Sequence, residues 1–406
     1  MLENKNIIIG VTGSIAIYKT LELIRLFIKQ KANVKVIMTK SSQKFISKLT
    51  FETISQQMVL DDTSESWSNN SINNHINISK WADIFIIAPA SANTINKIAN
   101  GISDNILTQT ILASKNKKLL VPAANTNMIK NKITKKNLLK LKNLKYTIIK
   151  TQIKQLACKD IGYGAMAEPI EIFYQAKKIL LQENYWKNRE TIITGGGTIE
   201  QIDQIRYISN FSSGKMASSL ALALYLKGAK VTLISTKGYE NLPLDIKVIP
   251  VKNSIDILKT LSIKLKSLNN IKKPYLFMAA AISDYIPLKI LKGKLKKDIL
   301  GTKWSLKLKK NIDILKTINK EQVYSVGFKA ETNKKEALKN AKKMLEDKNL
   351  NHVCLNIINN KNRFGSDENY IKLLSNEPQI NKIKGHKIDI SFKLLKLLKL
   401  CNKIKK

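Results

Sequence analysis

The chain has 406 residues, 44% of them hydrophobic, which is enough for the cores of two or three domains. Its formal net charge is +40, but only four of the 70 basic residues are arginine, the preferred reader of phosphates and bases. Because the lysines are spread over every predicted helix and loop, this charge is typical of a lysine-rich composition and argues against nucleic-acid binding as the main function.

Other compositional features narrow the class of protein further. No apolar stretch approaches the ~18–20 residues of a membrane-spanning helix. The N-terminal MLENKNIIIG carries an acidic residue and leads directly into a strand pattern, unlike a signal peptide. The three cysteines form no CxxC and the three histidines no HExxH, so neither a disulfide framework nor a structural metal site is expected. We therefore expect a cytoplasmic protein without dedicated metal ligands.

The first part of the chain alternates apolar strands with helices. Short apolar runs predict strands in NIIIGVTG (6–13), NVKVIMTK (33–40), ADIFIIAPASAN (82–93) and KLLVPAAN (118–125). The segment SIAIYKTLELIRLFIKQ (14–30) has apolar residues at helical spacing. Near-continuous apolar strands separated by helices are typical of a parallel sheet that is covered on both faces.

The same alternation begins again near the middle of the chain. A helix around PIEIFYQAKKILLQ (169–182) precedes the polar ENYWKNRE (183–190), which we interpret as a linker. Further strand and helix patterns follow in TIITGGG, KMASSLALALYLKG, AKVTLIST, YLFMAAAISDY, YSVGFKAET and HVCLNII. The sequence therefore predicts two doubly wound, Rossmann-like α/β domains, residues 1–190 and 191–406.

Small and hydroxylated residues follow three strands of the first domain. They lie in GVTGSIAIYK (10–19), MTKSS (38–42) and APASANTINKIANG (88–101). The carboxyl ends of parallel strands meet at one edge of a sheet, where helix N-termini offer free amide hydrogens. These turns together predict a mononucleotide pocket.

With NNHINISKWAD (73–83), PAAN (122–125) and ACKDIGYGAM (157–166), these turns resemble the flavin-containing cysteine decarboxylases. The resemblance implies a flavodoxin-like domain whose FMN is held by Gly13, Ser14, Ile15, Thr39, Ser41, Ser91, Ala92, Asn93, Thr94 and Ala123. It also implies catalytic side chains. His75 is expected to deprotonate the substrate thiol or position the carboxylate, Asn125 to bind the carboxylate, and Cys158 to protonate the enethiolate left by decarboxylation.

The second domain opens on a glycine-rich turn. ETIITGGGTIE (190–200) and RYISNFSSGKM (206–216) place three glycines, and then small hydroxylated residues, before a helix. This arrangement favours a nucleotide-phosphate site, although it is neither GxGxxG nor a P-loop. A tight strand-to-helix turn is the alternative interpretation of the glycines alone.

The longer string TGGGTIEQIDQIRYISNFSSGKM resembles the signature of phosphopantothenate–cysteine ligases. AAAISDY (279–285), KLKKD (294–298), KNIDIL (310–315) and VGFKAET (326–332) continue the resemblance in the expected order. It implies an amide synthesis through an acyl-cytidylate, with Mg²⁺ carried on CTP by phosphate oxygens and waters. Asn210 is implied to hold the acyl-cytidylate and Lys294 to act in its formation or breakdown. The implied CTP-binding residues are Gly195, Gly196, Ser212, Ser213, Gly214, Met278, Ala279, Ala280, Asp284, Lys294, Asn311, Ile312, Asp313, Ile314, Phe328, Lys343 and Lys348.

The chain departs from the two family patterns at four positions. Ala124 replaces the methionine of PAMN, which leaves space near the flavin or changes a subunit contact. Ala217 replaces a glycine after SSGKM and narrows the clearance of the backbone there. Ile312 replaces the proline of an Asn-Pro-Asp-Ile turn, and Met344 occupies one of two positions where a lysine is expected to contact the triphosphate.

In this order the two halves resemble the bacterial bifunctional phosphopantothenoylcysteine decarboxylase/phosphopantothenate–cysteine ligases of coenzyme A biosynthesis. The resemblance implies that the ligase product is the decarboxylase substrate, with trimeric flavin domains, dimeric ligase domains and neither nucleic acid nor membrane as a partner. Three alternatives are open. A nicotinamide-dependent oxidoreductase would need GxGxxG. A non-enzymatic flavoprotein, serving as an electron carrier or a regulator, would not need His75, Asn125 and Cys158 together. A nucleic-acid-binding polycation would show steep salt dependence.

Overall fold

In the computed structural model the chain folds into two units, Met1–Leu180 and Leu181–Lys406. Apolar strands form the centre of each unit. The residues that the structure describes are 1–68, 73–155, 161–239, 241–268, 271–296, 298, 301–359 and 362–402.

The first unit contains a five-stranded parallel sheet. Its strands, from edge to edge, are Asn33–Met38, Asn6–Val11, Ile84–Ala90, Lys117–Pro122 and Thr147–Ile148. This is the flavodoxin-like doubly wound order, in which the chain winds to both sides of its first strand. Alternate residues of that strand enter two different cores, Ile7 and Ile9 on one face and Ile8 on the other. The predicted fold class is confirmed.

Helices cover both faces of this sheet, and several begin at polar caps next to strand ends. Ser91 Oγ, for example, accepts a hydrogen bond from the Thr94 amide at 3.3 Å. The single helix expected over 14–30 is divided, because Ser14 caps a short 3₁₀ turn, Ile15–Ile17, before the α-helix begins. The helices are Tyr18–Ile28, Lys48–Ser55, His75–Trp81, Ala92–Ala99, Ile106–Ala113, Thr126–Lys130, Lys132–Asn143 and Pro169–Leu181, with a second 3₁₀ turn at Ser42–Lys44.

The second unit contains an eight-stranded mixed sheet. Its strands, in spatial order, are Lys247–Pro250, Lys230–Ser235, Glu190–Gly195, Tyr275–Met278, Tyr324–Glu331, His352–Ile357, Glu368–Leu374 and Asn381–His386. The first six are parallel, and Glu368–Leu374 runs antiparallel to both of its neighbours. The sequence pattern did not predict the last two strands, because they carry polar and lysine residues instead of an apolar run.

Helices of the second unit pack onto this sheet. Ser254–Lys266 and Lys334–Asp347 contribute apolar residues to a core shared with the strands, among them Ile257, Leu261 and Ala341. The other helices are Lys215–Leu226, Ile314–Thr317 and Lys387–Cys401. Among the described residues, three antiparallel strand pairs lie outside the two main sheets: Gln152–Gln155 with Ile161–Ala165 in the first unit, and Glu200–Gln201 with Tyr207–Ile208 and Tyr285–Pro287 with Leu308–Lys310 in the second.

The stretch 183–190 packs into the second unit, so the prediction of a linker is wrong. Trp186 is 1% exposed, and the centre of its ring lies 4.8 Å from that of Tyr275. Arg189 is also buried, and its guanidinium donates to the carbonyl oxygen of Lys273 at 2.5 Å. The polar composition suggested exposure, but aromatic and arginine side chains bury apolar area while a partner satisfies their polar groups.

Replacing Trp186 with Ala should lower the free energy of unfolding of the second unit by about 3–5 kcal/mol, because it removes a large ring from a packed core. Hydrogen exchange of peptides spanning 190–195 and 275–278 in denaturant reports this unit alone. Trp304, which is 41% exposed in the same unit, provides the matched control. Trp304→Ala should cost less than about 1 kcal/mol. Equal losses for the two variants would contradict the packing described.

Lys177 makes the stability of the first unit depend on pH. It is buried, with its ammonium nitrogen 5.0 Å from the centre of the Phe173 ring, and burial lowers the pKa of Lys177 to about 8. The pKa of lysine in an unfolded chain is about 10.4. Between these two pKa values the unfolded state therefore binds more protons than the folded state. This side chain therefore makes stability rise with pH through that window.

Lys177→Met should remove that rise and stabilise the first unit at pH 7 by up to about 3 kcal/mol, since one pKa unit corresponds to about 1.4 kcal/mol. Thermal unfolding at pH 7 to 10 checks this. Lys80, an exposed lysine of the same unit, supplies the control substitution Lys80→Met. A melting temperature with the same pH dependence in wild type and Lys177→Met would refute the assignment.

Candidate functional site

A cleft of about 930 Å³ opens at the carboxyl ends of the strands in the first unit. Small residues keep it open where the first strand ends. A Cβ atom on Gly13, for instance, would lie 2.8 Å from the Cβ of Ser41. All of the residues expected to hold the mononucleotide line this cleft: Gly13, Ser14, Ile15, Thr39, Ser41, Ser91, Ala92, Asn93, Thr94 and Ala123.

Hydroxyl groups connect two strand ends at this edge. The Thr12 hydroxyl donates to the carbonyl oxygen of Pro89 at 2.8 Å and accepts from the amide of Ser91 at 2.9 Å. Ser91 in turn caps the helix that begins at Ala92. The N-terminus of that helix is therefore fixed at the cleft wall, where its partial positive charge favours an anionic ligand.

Asn125 lies on the same cleft wall, and its side-chain oxygen accepts from the Asn127 amide at 2.9 Å. The strand Ile161–Ala165 lies against this loop. The Ala124 amide donates to the carbonyl oxygen of Gly164 at 3.1 Å. A Cβ atom on Gly164 would lie 1.9 Å from the Ala124 carbonyl oxygen, so only glycine permits this approach.

His75 begins the helix His75–Trp81, and it is not among the described residues that line the cleft. Its Nδ1 lies 2.6 Å from Oε1 of Glu65, and its ring meets that of Trp67 edge-on, with the ring centres 5.3 Å apart. Glu65 can hold one ring nitrogen and leave the other for proton transfer. No sequence motif marks Glu65, because only the fold brings it next to the histidine. Cys158 lies outside the described residues.

The second unit has a cleft of about 1020 Å³ at the carboxyl ends of its strands. Asn210 lines this cleft, and its side-chain amide donates to the carbonyl oxygen of Ile282 at 3.0 Å. Most of the residues expected to bind the nucleotide line it as well: Ser212, Ser213, Gly214, Met278, Ala279, Ala280, Asp284, Asn311, Ile312, Asp313, Ile314, Phe328, Lys343 and Lys348.

Gly195 and Gly196 are not among the described residues that line this cleft. A Cβ atom on Gly195 would lie 2.7 Å from the Cβ of Ala217, and one on Gly196, which has a φ of 81°, would lie 2.2 Å from Thr236 Oγ1. These glycines let a helix and a loop pack directly on the end of a strand. The tight-turn interpretation accounts for them, and a ligand contact stays a prediction.

Lys294 is exposed and is likewise absent from the described cleft walls. The neighbouring residue Leu295 is held by two side chains. The buried Asp203 carboxylate accepts from the Leu295 amide at 3.2 Å, and the Arg206 guanidinium donates to the Leu295 carbonyl oxygen at 3.1 Å. Backbone hydrogen bonds, above all from Arg206, lower the pKa of Asp203. No sequence motif marks Asp203 as an anchor for the loop of Lys294. The structure does not bring Lys294 to the cleft.

The lysine positions of the second cleft differ in their surroundings. Lys348 pairs with Asp313 at 3.0 Å, whereas Lys343 is exposed on the cleft wall. Met344 packs against Gly327 in the strand Tyr324–Glu331. A Cβ atom on that glycine would lie 2.8 Å from the methyl carbon of Met344. The thioether thus fills space over a glycine, and Lys343 supplies the cation at this part of the cleft.

The two clefts define a class of protein: a two-domain α/β protein with a nucleotide-sized cleft in each half. The family model described as "Flavoprotein" matches residues 1–180. The model described as "DNA/pantothenate metabolism flavoprotein C-terminal domain" matches residues 186–400. The chain is 36% identical over 403 residues to the coenzyme A biosynthesis bifunctional protein CoaBC of Bacillus subtilis (strain 168), covering 97% of each chain.

The chain has two further similarities. The chain is 37% identical over 380 residues to the protein of that name from Haemophilus influenzae, covering 92% of this chain and 91% of the other. A solved structure of a cysteine-to-serine mutant of PPC decarboxylase, complexed with pantothenoylaminoethenethiol, is 38% identical and covers 43% of this chain and 97% of its own, with a TM-score of 0.39. The chain belongs to the family of coenzyme A biosynthesis bifunctional proteins. It is a flavoprotein enzyme of that pathway with a decarboxylase half and a ligase half, as the resemblance implied.

The described residues contain neither a candidate membrane span nor a candidate metal-binding cluster. No helix there is both long enough and apolar enough to span a bilayer. Nor do three or more histidine, cysteine, aspartate or glutamate side chains in that part of the chain form a group that could hold a metal ion.

Gly164→Ala should destabilise the first unit by at least about 2 kcal/mol more than Gly101→Ala, because the new methyl group would collide with backbone. Both glycines have a positive φ, but a Cβ atom on Gly101 would meet nothing within 4 Å. Comparing the two variants therefore separates the close approach from backbone strain. Chemical denaturation of the full chain, followed by hydrogen exchange of the 117–127 segment, measures the difference. Equal losses would show that the hairpin does not lie against Ala124.

Proposed function

We propose that the second unit condenses 4′-phosphopantothenate with cysteine at the expense of CTP, and that the first unit decarboxylates the product with FMN to give 4′-phosphopantetheine. The strongest support is the grouping of the expected contact residues. All ten of the expected flavin contacts line one cleft, and most of the expected CTP contacts line the other. The two functions are proposed to divide where the two units do, after Leu180, instead of at the predicted residue 190.

In the first unit, Gly13, Ser14 and the N-terminus at Ala92 would hold FMN at the strand ends. When bound, FMN supplies the oxidation of the substrate thiol that provides an electron sink for loss of carbon dioxide, and then the return of the hydride. The Asn125 amide would bind the carboxylate that is lost. His75, oriented by Glu65, would accept the thiol proton, and Cys158 would return a proton to the enethiolate.

In the second unit, the helix Lys215–Leu226 begins at Gly214, which offers no capping side chain. Apart from the Lys215 amide, which donates to Ser213 Oγ at 3.4 Å, its first amide hydrogens are therefore available to phosphate oxygens, with Ser212 and Ser213 beside them. The Asn210 amide would hold the acyl-cytidylate. A role for Lys294 in its formation or breakdown stays a prediction from the family resemblance, because Lys294 is not among the described residues that line the cleft. Mg²⁺ would be carried on the triphosphate.

The proposal also covers the oligomeric state of the protein and its location in the cell. On the family pattern, flavin domains form trimers and ligase domains form dimers in the cytoplasm, with neither nucleic acid nor membrane as a partner. Because the sequence predicts no dedicated protein ligands for a metal ion, Mg²⁺ would be held by the triphosphate.

The test is to incubate the FMN-loaded protein with 4′-phosphopantothenate, cysteine, CTP and Mg²⁺ and to follow products by mass. Formation of 4′-phosphopantetheine with CMP is expected. Asn210→Ala should slow amide formation at least about 100-fold, because it removes an amide donor from a developing negative charge. It should still decarboxylate added 4′-phosphopantothenoylcysteine.

Asn125→Ala should show the opposite pattern and accumulate the amide, so each variant is the control for the other. Absence of any CTP-dependent amide from the wild-type protein would overturn the ligase proposal. Accumulation of 4′-phosphopantothenoylcysteine by the wild-type protein would overturn the decarboxylase proposal.

A further inference from the structure

Three charged side chains at the edge of the first cleft have no role in the proposed chemistry. Lys19 Nζ lies 2.9 Å from Glu168 Oε1 and donates to the Met166 carbonyl oxygen at 3.3 Å. Lys154 Nζ donates to the same Glu168 oxygen. Both lysines line the cleft. We call Lys19, Lys154 and Glu168 the clasp.

The clasp joins three segments that are far apart in sequence. Lys19 belongs to the helix Tyr18–Ile28, Lys154 to the strand Gln152–Gln155, and Glu168 immediately precedes the helix Pro169–Leu181. Glu168 contacts both lysines, so loss of its charge weakens both contacts at once. The Lys19 side chain is 13% exposed, which reduces the solvent screening that makes most surface ion pairs weak.

Glu168 is ionised at neutral pH. Burial raises the pKa of this carboxyl group, but hydrogen bonds from Lys154 and Lys19 and their charges outweigh that effect and lower it. The two ammonium groups therefore meet a full negative charge under assay conditions. This electrostatic attraction opposes movement of the hairpin strand that carries Lys154.

The strand paired with Gln152–Gln155 supports the Asn125 loop. Its Gly164 carbonyl oxygen accepts from the Ala124 amide at 3.1 Å, and a Cβ atom on Gly162 would lie 2.2 Å from Thr126 Oγ1. Asn125 lies between these two contacts. A displacement of the hairpin therefore changes the backbone position from which the Asn125 amide reaches the cleft.

We propose that Glu168 is a positioning residue for decarboxylation: through Lys154 and Lys19 it holds the hairpin against residues 124–126 and so places the Asn125 amide. This inference rests on the proposed function of the first unit. Glu168 acts through the loop and does not touch the reacting atoms.

Glu168→Gln tests this, since glutamine keeps the size of the side chain and removes its charge. Asp83→Asn is the matched control. Asp83 pairs with Lys5 at 3.2 Å and accepts from the Asn6 amide at 2.9 Å, at the amino end of the strand Ile84–Ala90 and hence at the opposite edge of the sheet from the cleft.

Three measurements on the FMN-loaded full chain are expected to separate the variants. Glu168→Gln should lower kcat for decarboxylation about 10-fold, leave the Kd for FMN within twofold and leave the ligase rate of the second unit unchanged. Hydrogen exchange in peptides 122–127 and 161–166 should accelerate in Glu168→Gln and not in Asp83→Asn. Lys154→Ala should reproduce these effects, and the double variant should lose no more than either single variant, as coupled residues do.

The contrary outcomes are distinct. A Glu168→Gln rate within twofold of wild type, or exchange at 122–127 equal to that of wild type, overturns this inference alone. The inference is also overturned if the decarboxylation rate of Glu168→Gln falls only in proportion to its loss of FMN. Glu168 would then serve to retain the cofactor and not to position Asn125. If the wild-type protein shows no decarboxylation, the proposed function fails and this inference fails with it.

Discussion

Both clefts depend on one constraint: where parallel strands end, only small residues let backbone, helix and loop approach one another closely enough to leave a ligand cleft beyond the sheet. Gly13 meets Ser41 in this way, Gly195 meets Ala217, and Gly164 meets the backbone of Ala124. In each pair the missing side chain is replaced by a neighbouring segment in van der Waals contact. The helices Ala92–Ala99 and Lys215–Leu226 then begin at the cleft walls, where the partial positive charge of a helix N-terminus favours an anionic nucleotide.

This constraint explains why two of the family departures fit the fold. Ala217 is buried against Gly195, where the single methyl group occupies the space that the glycine leaves. Met344 extends over Gly327, another glycine in a central strand, while the adjacent Lys343 lines the cleft. Both substitutions change side chains next to a glycine, where a small or unbranched group can be accommodated without moving backbone. Nothing in the structure explains the exchange to isoleucine at position 312.

The ionic contacts at the two clefts have a similar arrangement. A carboxylate fixes a segment next to the proposed chemistry and does not line the reacting centre itself: Glu65 at His75, Glu168 at the hairpin, and Asp203 at the loop of Lys294. Each carboxylate accepts two or more hydrogen bonds. Asp203 is buried and Glu65 is partly buried, whereas Glu168 contacts one largely buried lysine, Lys19, and one exposed lysine, Lys154.

The parallel strands of the first unit and the small, polar turns at their ends followed from local sequence, because buried strands are continuous apolar runs and strand ends are marked by glycine, serine and asparagine. The linker prediction failed at Trp186 and Arg189, and the strands at 368–386 were missed, because the burial of these residues depends on partners distant in the chain. The same reason applies to the carboxylates Glu65, Glu168 and Asp203, which no motif marks. Hydrophobic periodicity and turn chemistry are local properties, so sequence alone determined the two α/β halves and their ligand edges. Which charged groups hold those edges in place was decided only by tertiary structure, because an ion pair between residues 19 and 168 exists only after the chain has folded.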